Sequence, residues 1–180
     1  RSFVVYLCSS GFIAPNEAAF VERWVCALGA ARGVDGERVR NTSILVRPHP
    51  QNLQPWHKYD FAEFDHVSVW PAGGDNPIDA GSKNDFYDSL FHSEMAVGVN
   101  TSAQIEAGIV GRPVFTIQTE EHAGTQDGTL HFKYLLEAGG GLVHNARDFD
   151  EHVAQLGRAL DQPSEGQAKL RGFIEAFVRP

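Results

Sequence analysis

The chain has 180 residues, of which 42% are hydrophobic and 21% charged, and this is enough apolar material for one domain core. Its formal net charge of −8 and the lack of any basic run argue against binding to nucleic acid or anionic lipid. No segment reaches the roughly 18 to 20 apolar residues that span a bilayer, and the N-terminus shows no signal-peptide pattern. We therefore expect a cytoplasmic protein, without a transmembrane segment, whose partner is a small molecule.

The first elements in the chain are a strand, a helix and a second strand. Strands are predicted over residues 3–8 and 43–48. Pro15 and Glu17 open a helix between them, and Gly33 ends it. Because the chain begins at Arg1 and enters a strand at once, we expect residues 1–180 to be one domain of a larger protein.

The rest of the chain continues the alternation of strands and helices. Further strands are predicted over 65–70, 95–99, 113–117 and 141–144. Further helices are predicted after Asp85, after Ser102, and over about 129–138, 148–160 and 164–177. The strand Ile44-Leu45-Val46 is apolar on successive residues, which is typical of strands covered on both faces. The pattern predicts a single α/β domain with a Rossmann-like, doubly wound parallel sheet of about six strands, which binds ligands at the C-terminal strand ends.

The two cysteines and the histidine spacing do not predict a metal site. Cys8 and Cys26 are isolated in a predicted strand and a predicted helix, so we expect two buried free thiols. No second histidine or cysteine stands at ligand spacing from His49, and His57 lies in an irregular aromatic stretch. The sequence predicts neither a metal nor a bound cofactor.

Polar residues follow the predicted strands at the same edge of the sheet. After the first strand, Ser9, Ser10 and Gly11 form a small turn that could present N–H groups to an anion. After the second strand, Pro48 and Pro50 hold His49 beside Arg47, where both side chains could face a phosphate or a sugar hydroxyl. A turn without a ligand and a structurally packed histidine are the alternatives.

The turn and helix after the fourth strand give the strongest signal for a nucleotide. Thr101 and Ser102 precede a helix whose free N–H groups, including that of Ala103, favour a phosphate. Glu106 lies one helical turn beyond Ser102, on the same face. A phosphate site next to an acceptor for a diol indicates a nucleotide.

The segment after the fifth strand, residues 118–129, is dense in glycine, hydroxyl, amide and ionisable residues. Such a composition is typical of a binding loop, with Thr125 and His131 as candidate ligand contacts. Thr129 could cap the helix that begins with Leu130, leaving N–H donors for a ligand. A mobile surface loop with one capping threonine is the alternative.

Three segments carry a resemblance to a known family: R-P-H-P at 47–50, N-T-S-A-Q-I-E-A at 100–107 and G-R-P-V at 111–114. Together with the strand order, they resemble the C-terminal, donor-binding half of GT-B-type glycosyltransferases. Within that class the chain looks most like the CDP-glycerol glycerophosphotransferase-like group and the sugar-nucleotide 2-epimerases. The resemblance covers residues 3 to about 160.

The resemblance implies a role for each matching residue. Thr101, Ser102 and the N–H of Ala103 would bind the diphosphate of a nucleotide-activated sugar or polyol, and Glu106 the ribose. His49 and the turn from Ser9 to Gly11 match further phosphate contacts, and the 118–129 loop would border the transferred group. From these parallels His49 and His131 are the candidate catalytic residues.

The resemblance also implies that part of the machinery lies elsewhere. GT-B enzymes place the acceptor site, and often the catalytic base, on an N-terminal domain that this chain does not contain. The resemblance implies metal-independent transfer, in which helix N-termini and side-chain donors stabilise the leaving group. The expected function is donor binding for the synthesis of surface polysaccharide or polymer, with no turnover by the isolated chain.

The sequence is also compatible with two alternatives. A sugar-nucleotide 2-epimerase would share the nucleotide site and need its own acid and base near the sugar. A non-catalytic Rossmann-like interaction module is the other, for which an aromatic-rich stretch could dock a partner, although it could equally pack in the core: Trp56, Tyr59, Phe61 and Phe64.

Overall fold

The protein is described by a computed structural model that covers residues 2–74 and 76–178, so Arg1 lies outside the described residues. Six strands form one sheet: β1 (Phe3–Leu7), β2 (Ser43–Arg47), β3 (Val67–Val69), β4 (Met95–Val97), β5 (Val114–Ile117) and β6 (Val143–Ala146). Their order across the sheet is β3-β2-β1-β4-β5-β6, and every pairing is parallel. The predicted fold class, a doubly wound Rossmann-like sheet, is confirmed.

This strand order identifies the edge at which open α/β sheets bind their ligands. The chain builds outward from β1 to β3 and then returns to add β4 on the other side of β1. The loops after β1 and β4 therefore leave the sheet in opposite directions and open a crevice between them. The C-terminal ends of β1, β2 and β4 meet at this crevice.

Seven α-helices connect the strands or close the chain in its described part: α1 (Glu17–Ala30), α2 (Gly33–Arg40), α3 (Ala80–Phe91), α4 (Ala103–Ile109), α5 (Leu130–Glu137), α6 (Phe149–Asp161) and α7 (Ser164–Phe173). Strand bounds differ from the predictions by up to two residues, and three helix boundaries differ in kind. Gly33 does not end the helical region, because with φ of 77° it turns the chain into α2, whose weakly apolar sequence gave little signal. Helix α3 begins well before Asp85, since Asp79 caps it by accepting the N–H of Ser82. Helix α7 ends at Phe173, earlier than predicted, and a π-helical turn over Ile174–Val178 follows it.

Alternate residues of β1 divide the core between the two faces of the sheet. Val4 and Tyr6 pack with residues of α1 and α6, and the opposite face holds Val5 and Leu7 with residues of α3, α4, α5 and α7. Trp56 and Phe61 are buried in the first of these cores, and Tyr59 and Phe64 pack against it. The aromatic stretch is therefore core material, which removes the observation that favoured a docking surface.

The expectation of two buried thiols is wrong for one cysteine. Cys8 is buried at the end of β1, whereas Cys26 is exposed on α1. Cys26 lies next to the buried Val25, so one step around the helix moves its side chain to the solvent face. In the described part of the chain, no helix is both long and apolar enough to cross a membrane.

Candidate functional site

A cleft lies at the C-terminal edge of the sheet, where the strand order predicts it. It has two adjoining parts, which share His49, Thr101 and Ser102. The first part, of about 180 Å³, is also lined by Arg47 and Glu106. The second, of about 310 Å³, is completed by five further residues: Ser10, Ile13, Asn100, Thr129 and His131. Most of the predicted site residues thus meet in one place.

The N-terminus of α4 presents free amide groups to this cleft. The backbone N–H groups of Ser102 and Ala103 have no acceptor among residues 2–74 and 76–178. The N–H of Thr101 is already satisfied, because it donates to Gln104 Oε1 at 3.0 Å, and Gln104 is anchored in turn to the Gly98 carbonyl. Gln104 was not predicted to have a role, although it lies between Ser102 and Glu106 in the N-T-S-A-Q-I-E-A segment. Two unpaired donors and the helix dipole make this turn suitable for an anion.

Glu106 follows one turn into α4 and lines the same part of the cleft as Ser102. Partial desolvation by the cleft wall raises the pKa of its carboxyl, although the residue is exposed, and the carboxyl has no hydrogen-bond partner in the described part of the chain. Its oxygens are therefore available to accept hydrogen bonds from a ligand.

His49 presents an N–H donor to the cleft. Its Nδ1 accepts the backbone N–H of Gln51 at 3.1 Å, and its carbonyl accepts that of Asn52 at 2.8 Å, which fixes the loop. Burial lowers the pKa of His49, so the ring is neutral near pH 7. A neutral ring that accepts at Nδ1 carries its proton on Nε2.

Arg47 is held in the cleft wall by α3. Its Nη1 pairs with Asp85 Oδ2 at 2.9 Å and donates to Ser89 Oγ at 2.5 Å, and its guanidinium lies 5.4 Å from the centre of the Phe86 ring. Only 7% of Arg47 is exposed. Asp85 offsets the charge of Arg47, so the donors that α4 presents to the cleft are oriented N–H groups without a charged partner.

His131 and Thr129 reach the cleft from the start of α5. Thr129 caps this helix by accepting the N–H of Phe132 at 3.2 Å, which confirms the predicted cap. Its hydroxyl also contacts Asn100, whose Oδ1 lies 2.7 Å from His131 Nδ1. The segment after β5 is thereby tied to the loop after β4.

Three predicted site residues do not line the cleft. Ser9 is fully buried: its N–H donates to Glu17 Oε2 at 2.6 Å, and its hydroxyl accepts the N–H of Asn100. Gly11 contributes to a separate depression next to Asn52. The Thr125 hydroxyl donates to the Ile13 carbonyl at 2.6 Å. These residues shape the loops, while Ser10 faces the cleft.

Glu17 is a buried acid whose place in the sequence predicts only the opening of a helix. Its side chain accepts the Ser9 N–H and lies 3.2 Å from the Tyr6 hydroxyl. Burial raises its pKa from 4.5 to about 8. An acid beside Pro15 at a helix start is ordinarily exposed, so no local signal distinguished this one. Across the described ranges, no three metal-ligating side chains lie close enough together to hold an ion.

Comparison with solved structures supports the fold assignment. The wall teichoic acid polymerase TagF, solved with CDPG, matches over 99% of this chain with a TM-score of 0.58 and 14% identity. The glycotransferase of kitacinnamycin matches over 98% of this chain with a TM-score of 0.48 and 15% identity. No family model and no curated protein sequence matches the chain.

The chain spans 38% of the length of TagF and 42% of the kitacinnamycin protein. At this level of identity the similarity to TagF is one of fold. It agrees with the resemblance to one half of a GT-B-type transferase, and it leaves the role of the cleft to be argued from its residues. In fold, this chain is similar to one Rossmann-like part of TagF.

Proposed function

We propose that the chain is the donor-nucleotide-binding domain of a metal-independent GT-B-type transferase that transfers a sugar or polyol phosphate in surface-polymer synthesis. The observation that carries the proposal is the meeting of two free N–H groups, at Ser102 and Ala103, with His49 and Glu106 in one cleft. The similarity of fold to TagF supports the same class.

The cleft offers complementary groups for the parts of a nucleoside diphosphate. The N–H groups of Ser102 and Ala103 and Nε2–H of His49 would donate to phosphate oxygens. Glu106 would accept from the ribose hydroxyls one helical turn away. The part of the cleft between Ser10 and His131 would then receive the transferred group.

These donors also suit the departure of a nucleotide. Charge develops on the phosphate oxygens as the bond to the transferred group breaks, and fixed N–H donors stabilise it without reorganising. The acceptor would enter from an N-terminal domain, so the isolated chain should bind its donor without transferring it.

Replacing Glu106 by alanine should weaken the binding of a nucleoside diphosphate about 10-fold or more, because a carboxylate that accepts two hydroxyl groups is lost. The affinity for inorganic pyrophosphate should change less than about twofold, since pyrophosphate has no ribose. Calorimetric titration with UDP, CDP, GDP and pyrophosphate measures both.

Two variants serve as controls for this titration. Glu106→Gln keeps one acceptor oxygen and should retain part of the affinity, and Glu37→Ala removes an exposed acid from α2 and should bind like the unmodified chain. Equal losses for the nucleotide and for pyrophosphate would refute the ribose role of Glu106. No binding of any nucleotide at millimolar concentration by the folded chain would refute the proposed function.

A further inference from the structure

His131 and His49 face the same part of the cleft with opposite hydrogen-bonding requirements. His49 accepts at Nδ1 from the backbone N–H of Gln51 and therefore donates from Nε2. His131 Nδ1 pairs with the side-chain amide of Asn100. The orientation of that amide decides which nitrogen of the His131 ring carries the proton.

The hydrogen-bond partners of Asn100 permit only one orientation of its side-chain amide. Its Nδ2 donates to the Thr125 carbonyl and to Thr129 Oγ1, each at 3.0 Å. The Thr129 hydroxyl donates its own proton to the Gln126 carbonyl at 2.9 Å, so it accepts from Asn100. The oxygen of Asn100 is thereby turned toward His131 Nδ1, and because an amide oxygen only accepts, Nδ1 carries the proton.

The other ring nitrogen of His131 is then an acceptor. Nε2 is buried and has no hydrogen-bond partner among the residues that the structure describes. Burial lowers the pKa of His131, and no charged side chain contributes to this shift. Of the described residues that line this part of the cleft, His49 is the one other titratable group. The ring is therefore neutral near pH 7, with a lone pair on Nε2.

We propose that Asn100 is a positioning residue that holds His131 as the hydrogen-bond acceptor of the cleft, opposite the donors of His49, Ser102 and Ala103. The identity of the ligand rests on the proposed function. Because Nε2 is shielded from solvent in the ligand-free chain, the ring must tilt into the cleft for a ligand to reach it. The group that it then meets must donate a hydrogen bond, as a hydroxyl does and an ionised phosphate oxygen does not. The cleft thus has a phosphate side and a hydroxyl side.

Long-range ¹H–¹⁵N NMR of the histidine rings in the full chain tests this assignment without a ligand. At pH 7.5 we expect a proton on Nδ1 of His131 and on Nε2 of His49, with His131→Gln and His49→Gln identifying the signals. Acidification should then move the Nε2 signal of His131, because that nitrogen gains the proton. A proton on Nε2 of His131 at pH 7.5 would overturn the proposal.

The role of Asn100 is tested by Asn100→Ala, with Thr125→Val as the matched control that loosens the same loop but leaves the Asn100 amide in place. The alanine variant should lose the Nδ1–H form as its major neutral tautomer, and the valine variant should keep it. An unchanged tautomer in a folded Asn100→Ala variant would overturn the proposal. Should that variant fail to fold, the acid titration of the unmodified chain decides, since protonation at Nδ1 would contradict it.

Ligand titrations separate this inference from the proposed function. UDP and CDP should shift the His49 ring signals, whereas UDP-glucose or CDP-glycerol should in addition shift Nε2 of His131. If these nucleotides bind and the sugar or polyol leaves His131 unaffected, the hydroxyl side is refuted. If no nucleotide moves either ring, the proposed function fails, while the ligand-free tautomers still support the positioning role of Asn100.

Discussion

Replacing Glu17 by glutamine should raise the free energy of unfolding by roughly 4 kcal/mol at pH 8.5 and change it little at pH 4. The carboxyl is completely buried against Ser9 and Tyr6, and its pKa in the folded chain is about 8, compared with an ordinary value of 4.5. Folding therefore favours the protonated acid. Its stability contribution is fully present below pH 4.5 and is lost, by about 1.4 kcal/mol per pH unit, as the pH rises to about 8.

Glutamine mimics the protonated acid, because its amide offers one acceptor for the Ser9 N–H and one donor for the Tyr6 oxygen. Urea unfolding of both chains at pH 4, 6 and 8.5 measures the difference, and Glu37→Gln is the exposed control. A difference that stays constant with pH would show that Glu17 does not titrate in this range.

His152 should limit stability in acid. Its ring is fully buried on α6 near Trp24 and Phe115, with centroid distances of 6.2 and 6.4 Å, and neither nitrogen has a partner within the described residues. Burial lowers its pKa from 6.5 to about 3, so the folded chain holds it neutral. Between pH 6.5 and pH 3 the unfolded chain binds a proton at His152 that the folded chain does not. The free energy of unfolding is therefore unaffected by this residue above pH 6.5 and falls as the pH drops toward 3.

His152→Leu removes the titrating ring at similar volume. The free energy of unfolding of this variant minus that of the unmodified chain should rise by roughly 3 kcal/mol between pH 7 and pH 4. The rise should be about 1.4 kcal/mol per pH unit below 6.5. Comparing the two pH values cancels any packing change caused by leucine. His92→Gln, at an exposed position, is the control, and identical pH dependence of the unmodified chain and His152→Leu would contradict the account.

The sequence predicted the sheet well because its central strands, β1, β4 and β5, are buried on both faces. A short run of successive apolar residues such as Ile44-Leu45-Val46 is typical of a strand covered on both faces, and glycine and proline mark where such runs end. Helix α2 escaped prediction because its apolar positions, Val34 and Val39, are too few to give a periodic signal, and Val34 is exposed.

The site was predictable in position and only partly in detail. The strand-end rule brought Ser102, Glu106, His49 and His131 together because it depends on topology alone. It could not show that Ser9 turns inward to Glu17, since that choice depends on a bond across eight residues.

The tautomers of the two histidines were also beyond reach of the sequence. They depend on Gln51 for one ring and on Asn100 for the other, and only the folded chain identifies these partners. Short motifs therefore predicted which residues meet, and the three-dimensional contacts determined which of them donate and which accept.

Amide chemical-shift mapping of the ¹⁵N-labelled chain during titration with UDP, CDP and GDP tests the central claim most directly. If the cleft is a donor-nucleotide site, at least one nucleotide should produce saturable shifts that are largest at Ser102, Ala103, His49 and Glu106. Saturable shifts centred elsewhere, for example at the depression between Gly11 and Lys58, or no shifts at millimolar nucleotide, would contradict it.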